Sequence, residues 1–212
     1  MAQNPTRRAF LVRTGLAALA GGVAVPWNSW AAAKVGEAAP AFTALASTGR
    51  SVSLASYRSK IVVLEWSNHE CPYVRKHYET GNMQALQKEA TGQGVVWLTV
   101  ISSAPGEQGY VSPAQANELT TSRGAAPTAV LLDPKGTVGR MYGATNTPHM
   151  YVIDPAGLLR YAGAIDDRPT TRTSDVQGAH NYVRAALHAV AAGQPVEAPV
   201  THAYGCTVKY AA

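Results

Sequence analysis

One stretch, Ile61–Tyr78 (IVVLEWSNHECPYVRKHY), constrains this 212-residue chain more than any other. Ile61–Trp66 is too apolar for a half-exposed strand, so it reads as a strand covered on both faces near the centre of a sheet. A few residues on, Cys71-Pro72 opens a helical pattern. Proline suits the first helical position because its missing N–H would have had no partner there. One of only two cysteines thus stands where a central strand gives way to a helix N-terminus. Unpaired backbone N–H groups and the positive end of the helix dipole favour a thiolate at that point. Arg75, one turn on, would add positive charge, with His69, Lys76 and His77 nearby in sequence. Glu65 and Glu70 oppose it, and the expected direction of the thiol pKa is downward.

The rest of the chain supplies partners for that junction. Val35–Lys60 holds Pro40, a turn at Gly49 and alternating apolar positions including Val52 and Leu54, a β-hairpin pattern. After the Cys71 helix, Gly81-Asn82 interrupts, with Asn82 expected to cap a second helix through Gln84–Ala90. Val95–Ile101 is a second buried strand, Ser112-Pro113 starts a helix that stops at Gly124, and Thr128–Leu132 is a third strand. A short helix over Val138–Tyr142 precedes a hairpin of Met150–Ile153 and Leu158–Ala162 around Asp154-Pro155-Ala156-Gly157. Ser174 or Asp175 is expected to cap the last helix, which ends near Gly193. Beyond Pro195 the tail is irregular and carries Cys206. This order predicts one α/β domain with a mixed sheet, parallel at its core and antiparallel where the closing hairpin joins.

Composition excludes several classes. Hydrophobic content of 46% with 15% charged residues belongs to a globular chain, not a disordered one. The formal charge of +5 is concentrated at the start: residues 1–33 hold Arg7, Arg8 and Arg13 and no acid, leaving 15 basic and 13 acidic side chains, a net of +2. That balance needs no polyanionic partner, and no P-loop, carboxylate pair or aromatic–basic nucleic-acid platform stands out. Thr6-Arg7-Arg8-Ala9-Phe10-Leu11 is a twin-arginine signature. An Ala/Gly-rich apolar run over Leu16–Val25 and the small residues Ala31-Ala32-Ala33 follow it. The run is too short and glycine-rich for a membrane span. The expectation is a twin-arginine signal peptide over 1–33, a mature domain over 34–194 and a tail over 195–212. The mature protein would be periplasmic and free of the membrane.

The mature chain resembles the thioredoxin-fold redoxins of the alkyl hydroperoxide reductase/thiol-specific antioxidant superfamily. VGEAAPAF followed by GRSVSLASYRSKIVVLEW resembles that family's N-terminal extension and first central strand. Cys71 stands where the family keeps its attacking cysteine. Cys71-Pro72-Tyr73-Val74 resembles a CxxC motif whose second cysteine is replaced by Val74, and Thr147-Pro148-His149 before MYVID matches the family's cis-proline site. The resemblance implies an α/β thioredoxin-like fold: a central mixed β-sheet flanked by helices, with an N-terminal β-hairpin extension. It also implies that Pro148 sits cis beside the thiol and presents backbone to a substrate chain. Val74 excludes dithiol chemistry within the motif. A typical peroxiredoxin has Pro and Thr seven and three residues before its cysteine; Leu64 and Asn68 stand there instead, so the peroxide site does not carry over intact.

Three readings follow. In the first, Cys71 is the nucleophile of an exported thiol–disulfide or antioxidant-type oxidoreductase and the more reactive thiol. Cys206, 135 residues away, would be its resolving partner. Its substrates would be protein thiols and disulfides or hydroperoxides, restored by an unidentified reductant, with no cofactor and no bound metal. In the second, Cys71–Cys206 is a static bridge stabilising by roughly 5 kcal/mol through loop entropy. In the third, Cys71, His69, His77, His149 and Cys206 converge on copper, as in thioredoxin-fold copper chaperones. Trp66 and Trp97 read as core, and His180 and His188 as surface.

Overall fold

The computed structural model describes Met1 and residues 32–211, so almost all of the expected export segment lies outside the described residues. β1 (Thr43–Ala46) and β2 (Ser51–Ser53) form the hairpin expected around Gly49. β3 (Val62–Trp66), α1 (Pro72–Glu79), α2 (Asn82–Gly92) and β4 (Val96–Ile101) follow, then α3 (Pro113–Ser122) and β5 (Ala129–Leu132). The chain continues through α4 (Thr137–Tyr142), β6 (Asn146–Thr147), β7 (His149–Ile153), β8 (Leu159–Gly163), α5 (Tyr182–Ala191) and β9 (Cys206–Thr207). Seven strands make one sheet in the order β2-β1-β5-β4-β3-β7-β8, while β6 and β9 pair separately. β3–β4 and β4–β5 are parallel and β3–β7 and β7–β8 antiparallel, the mixed α/β sheet that the element order predicts.

β3 is buried at all five positions because both faces of the sheet are covered. Successive side chains point to opposite faces. Val63 joins Trp97, Met150, Val152 and Tyr161 in a core roofed by Val74, Met83, Leu86 and Val183 from the helices. Leu64 and Trp66 join Leu98, Leu131, Tyr151 and Tyr142 on the other side. The exception in the apolar run is Glu65, which lies among the helices with no exposed surface. It is met by Tyr78 Oη (2.8 Å), Gln87 Nε2 (3.0 Å), Trp97 Nε1 (2.8 Å) and Thr99 Oγ1 (3.1 Å).

Two expected caps are placed differently. Asn82 does not cap α2; that place is taken by Gly81 in the left-handed region (φ 74°), which glycine enters without steric cost. The Asn82 amide instead meets His77 Nδ1 at 2.9 Å. Thr173–Val176, where Ser174 and Asp175 stand, is only a short 3-10 turn. α5 starts later, at Asn181, whose side chain accepts from Arg184 N at 2.8 Å. The polar run Thr170–Asp175 closes on itself instead, through Thr170 and Arg172 binding Asp175.

The tail is less irregular than its sequence suggests. Val200 makes a parallel bridge to Ala162 on β8. The chain then crosses to β6, where Thr147 pairs with Cys206 and Asn146 with Thr207. Ala203, Tyr204 and Val208 are buried.

Candidate active site

Cys71 is the N-cap residue of α1, with extended backbone (φ −70°, ψ 121°), and its carbonyl accepts from Val74 N and Arg75 N. Its side chain makes no capping bond and turns into the helical-side core with 0% exposure. The thiol donates to Thr147 O at 3.1 Å. The Thr147–Pro148 peptide is cis, as expected for Pro148. Cys206 lies opposite Thr147 in the β6–β9 ladder and packs against the core cluster that holds Cys71, close enough for each thiol to shift the other's titration. Both cysteines are free thiols, Cys71 buried and Cys206 partly exposed. The approach depends on Gly205: at φ 126° it brings the chain so near β6 that a Cβ there would lie 2.0 Å from Thr147 O.

The two sulfurs are electrostatically unequal. Burial pushes the Cys71 thiol up. The Cys206 thiol, the Thr147 side chain and the backbone N–H groups of Cys206 and Val74 favour the thiolate and outweigh it, and Cys71 lies below the ordinary thiol value. Burial also raises Cys206, and its hydrogen bond to Cys71 and the negative charge there raise it further against a smaller pull from Lys209. Of the two thiols, Cys71 therefore gives up its proton before Cys206.

The basic residues near Cys71 in sequence do other work. Arg75 pairs with Glu79 at the surface, 2.8 Å away. Lys76 and His77 turn to a buried cluster built on Asp166 and Tyr204, which the sequence reading missed. Lys76 Nζ donates to Arg168 O (2.7 Å) and Tyr204 Oη (3.3 Å). The Tyr204 hydroxyl donates to Asp166 Oδ1, and Asp166 Oδ2 stands 3.9 Å from both Lys76 Nζ and His77 Nε2. The Lys76 and Asp166 side chains are 0% and 2% exposed. The one hint in sequence is that Tyr204 lies two residues before Cys206. Glu70 accepts from Gly109 N at 2.6 Å.

The copper set does not assemble. Of its five residues only the two cysteines meet. His77 faces Asn82 and Tyr204, His149 stacks on Tyr151 with ring centres 4.6 Å apart, and His69 adjoins Arg123, which donates to its carbonyl. Among the described residues no group of three or more His, Cys, Asp or Glu is placed to hold a metal ion. The peroxide pair is not built either: Leu64 lies in the core on the other side of the sheet, and the Asn68 side chain ties Glu70 N to Gln108 O. Trp66 and Trp97 are core and His180 and His188 exposed, as expected.

Burial also keeps two imidazoles neutral. His149 is pulled down to about 4 by burial and then by the charge of His202, and His77 to about 3 by burial and then by Lys76. Both fall below the unfolded value, so their contribution to stability is complete above about pH 6.5 and is lost as pH falls through the folded values. The unfolded state binds the extra proton in that window. Relative to a His149→Phe variant, the native protein is expected to lose on the order of 3 kcal/mol between pH 7 and pH 4. Urea unfolding at each pH measures this, and parallel curves for the two proteins would contradict it.

Residues 35–162 match the family model described as AhpC/TSA family. No curated protein sequence matches the chain. Among solved structures, an uncharacterized conserved protein from Geobacillus kaustophilus is similar at TM-score 0.72 and 24% identity, over 84% of this chain and 93% of that one. A hypothetical protein from Sinorhizobium meliloti 1021 is similar at TM-score 0.72 and 23% identity, over 86% and 97%. A putative thiol:disulfide interchange protein DsbE from Chlorobium tepidum has TM-score 0.53 and 23% identity, over 74% and 99%.

Proposed function

The chain belongs to the AhpC/TSA family and has a thioredoxin-like fold, and on that premise we propose that it is a thiol–disulfide oxidoreductase cycling between a Cys71/Cys206 dithiol and a Cys71–Cys206 disulfide. One observation carries the reading: β6–β9 pairing holds Cys206 against Cys71, beside the cis-proline and at the start of α1. Loss of two protons and two electrons joins the sulfurs, and a disulfide substrate accepting them becomes two thiols. Within this reading Cys71 supplies the stabilised thiolate, Cys206 completes the bond, and Pro148 shapes the backbone beside them. Protein thiols and disulfides are the substrate class, since the residues that would bind peroxide are turned to structural use. A separate reductant or oxidant resets the pair.

Export rests on Arg7-Arg8 and the small residues that follow them, and the proposed site of action is the periplasm after removal of residues 1–33. No helix among the described residues is long and apolar enough to cross a membrane.

A redox titration separates a working pair from a static bridge. Equilibrated with thiol–disulfide buffers and followed by intact mass, the pair is expected to open at roughly −270 to −120 mV, the range of thioredoxin-type exchangers, whereas structural bridges lie below about −300 mV. Cys71→Ser and Cys206→Ser should each abolish the two-hydrogen mass change. A bond that stays closed at −300 mV, or that never forms, refutes the reading.

A further inference from the structure

The two sulfurs differ in a way that bears on how such a cycle would run. Cys71 has no exposed surface, while Cys206 is partly exposed and Thr207 beside it is open to solvent. Cys71 shares its core cluster with Tyr204 and Cys206, and the segment that carries those two residues is pinned on both sides. Before Cys206, Tyr204 is buried, hydrogen-bonded within the Lys76–Asp166 cluster and packed edge-on against Tyr73. After it, Val208 enters the opposite core and its N–H reaches Thr145 O at 2.9 Å. Lys209 O accepts from Ala104 N, and Tyr210 Oη donates to Ala144 O at 2.7 Å with Arg140 stacked over its ring. Opening the core over Cys71 from the tail side means breaking one of these anchorages. Cys206 has exposed surface with all of them intact.

We infer that an external thiol or disulfide meets this pair at Cys206, and that Cys71 acts as the buried resolving sulfur. The inference rests on the redox reading above and reverses the roles that position in the motif implies. In the oxidised protein an external thiolate attacks Cys206 Sγ, the Cys71–Cys206 bond breaks, and its electron pair leaves on Cys71 Sγ. A second thiol of the same partner then attacks the partner's own bound sulfur and expels Cys206, which takes up the proton that thiol gives off. Two external thiols have become one disulfide, and the protein disulfide two thiols. The polarisation of the pair suits this direction: Cys71 is stabilised as a thiolate and leaves readily, while Cys206 is a poor attacker in its raised, protonated state. The substrate class is a dithiol able to reach a surface strand, and the protein is its oxidant.

The test uses the native chain. Oxidised protein is opened with a small monothiol such as 2-mercaptoethanol, quenched in acid, alkylated in denaturant and mapped by peptide mass. The expected product carries the mercaptoethanol disulfide on Cys206 and the alkyl group on Cys71. The opposite pattern overturns the inference and leaves the redox pair standing. A protein with no reducible bond overturns both. As a second measurement, reduced Cys71→Ser treated with 5,5′-dithiobis(2-nitrobenzoate) should retain one thionitrobenzoate on Cys206. Folded Cys206→Ser should react at least about tenfold more slowly, as expected of an occluded sulfur. Equal or faster labelling of Cys71 there counts against the assignment.

Discussion

Replacing Asp166 with alanine is expected to remove roughly 3–5 kcal/mol of folding stability, the cost of leaving a buried charge without its partner, and to loosen the cover over Cys71. Lys76 is wholly buried, and the Asp166 carboxylate is the negative group facing it. The same carboxylate accepts from the Tyr204 hydroxyl and from Arg168 N, at 3.0 Å for the latter. Without it, Lys76 must give up its proton or draw in water, and Tyr204 loses the acceptor that seats its ring. Burial already pulls Lys76 below the usual lysine range, with Asp166 the main opposing influence. Urea unfolding measures the stability loss, and iodoacetamide labelling of the native state measures exposure of Cys71. Asp166→Asn should fall between alanine and the native residue, because it keeps an acceptor for Tyr204 while losing the charge. A cycle with Lys76→Met isolates the pair, since residues in one network couple by about 0.5–3 kcal/mol. A loss under about 1 kcal/mol for Asp166→Ala would show that the cluster does not hold the tail.

Glu65→Ala is the second large effect, about 4 kcal/mol or more, because it strands several buried donors at once. Trp97 Nε1 has no second acceptor among the described bonds and bears the full desolvation cost. The Tyr78 hydroxyl and the Gln87 amide, 3.2 Å apart, can partly satisfy each other. Removing the side chain also leaves a cavity between β3, β4 and the helices, which adds to the cost. Burial raises the Glu65 carboxyl above its usual value, opposed by hydrogen bonds from Trp97, Tyr78, Gln87 and Thr99. Glu65→Gln preserves volume and one acceptor oxygen, and should cost less than alanine. Thermal and urea unfolding of both variants check the order; alanine no worse than glutamine would mean the donors find water.

Both effects centre on residues whose neighbours are remote in sequence. Glu65 sits in an otherwise apolar strand and reads locally as an anomaly. Its four donors come from α1, α2 and β4, which only the closed sheet and helix layer bring together. Asp166 follows β8 and belongs, by sequence, to a polar loop. Its role appears when the tail returns 38 residues later with Tyr204. The misplaced caps have a similar cause. Asn82 and Asp175 are good capping residues, but each found a tertiary or loop partner that used its side chain first.

Short-range choices are legible in chain order alone. The unbroken apolar run of β3, proline at the first position of α1, the Ser112-Pro113 start of α3 and the turn at Gly49 follow from local sterics, unpaired helix-end N–H groups and hydrophobic periodicity. Those choices imply the order of elements, the mixed sheet and the placing of Cys71 at a strand-to-helix junction. The family resemblance added Pro148 as cis. The environment of that junction comes from the folded packing instead: which sulfur is buried, which charges face it, and that a strand 135 residues on packs beside it. Burial and charge pairing depend on distance in space, and at these separations chain order says almost nothing about distance.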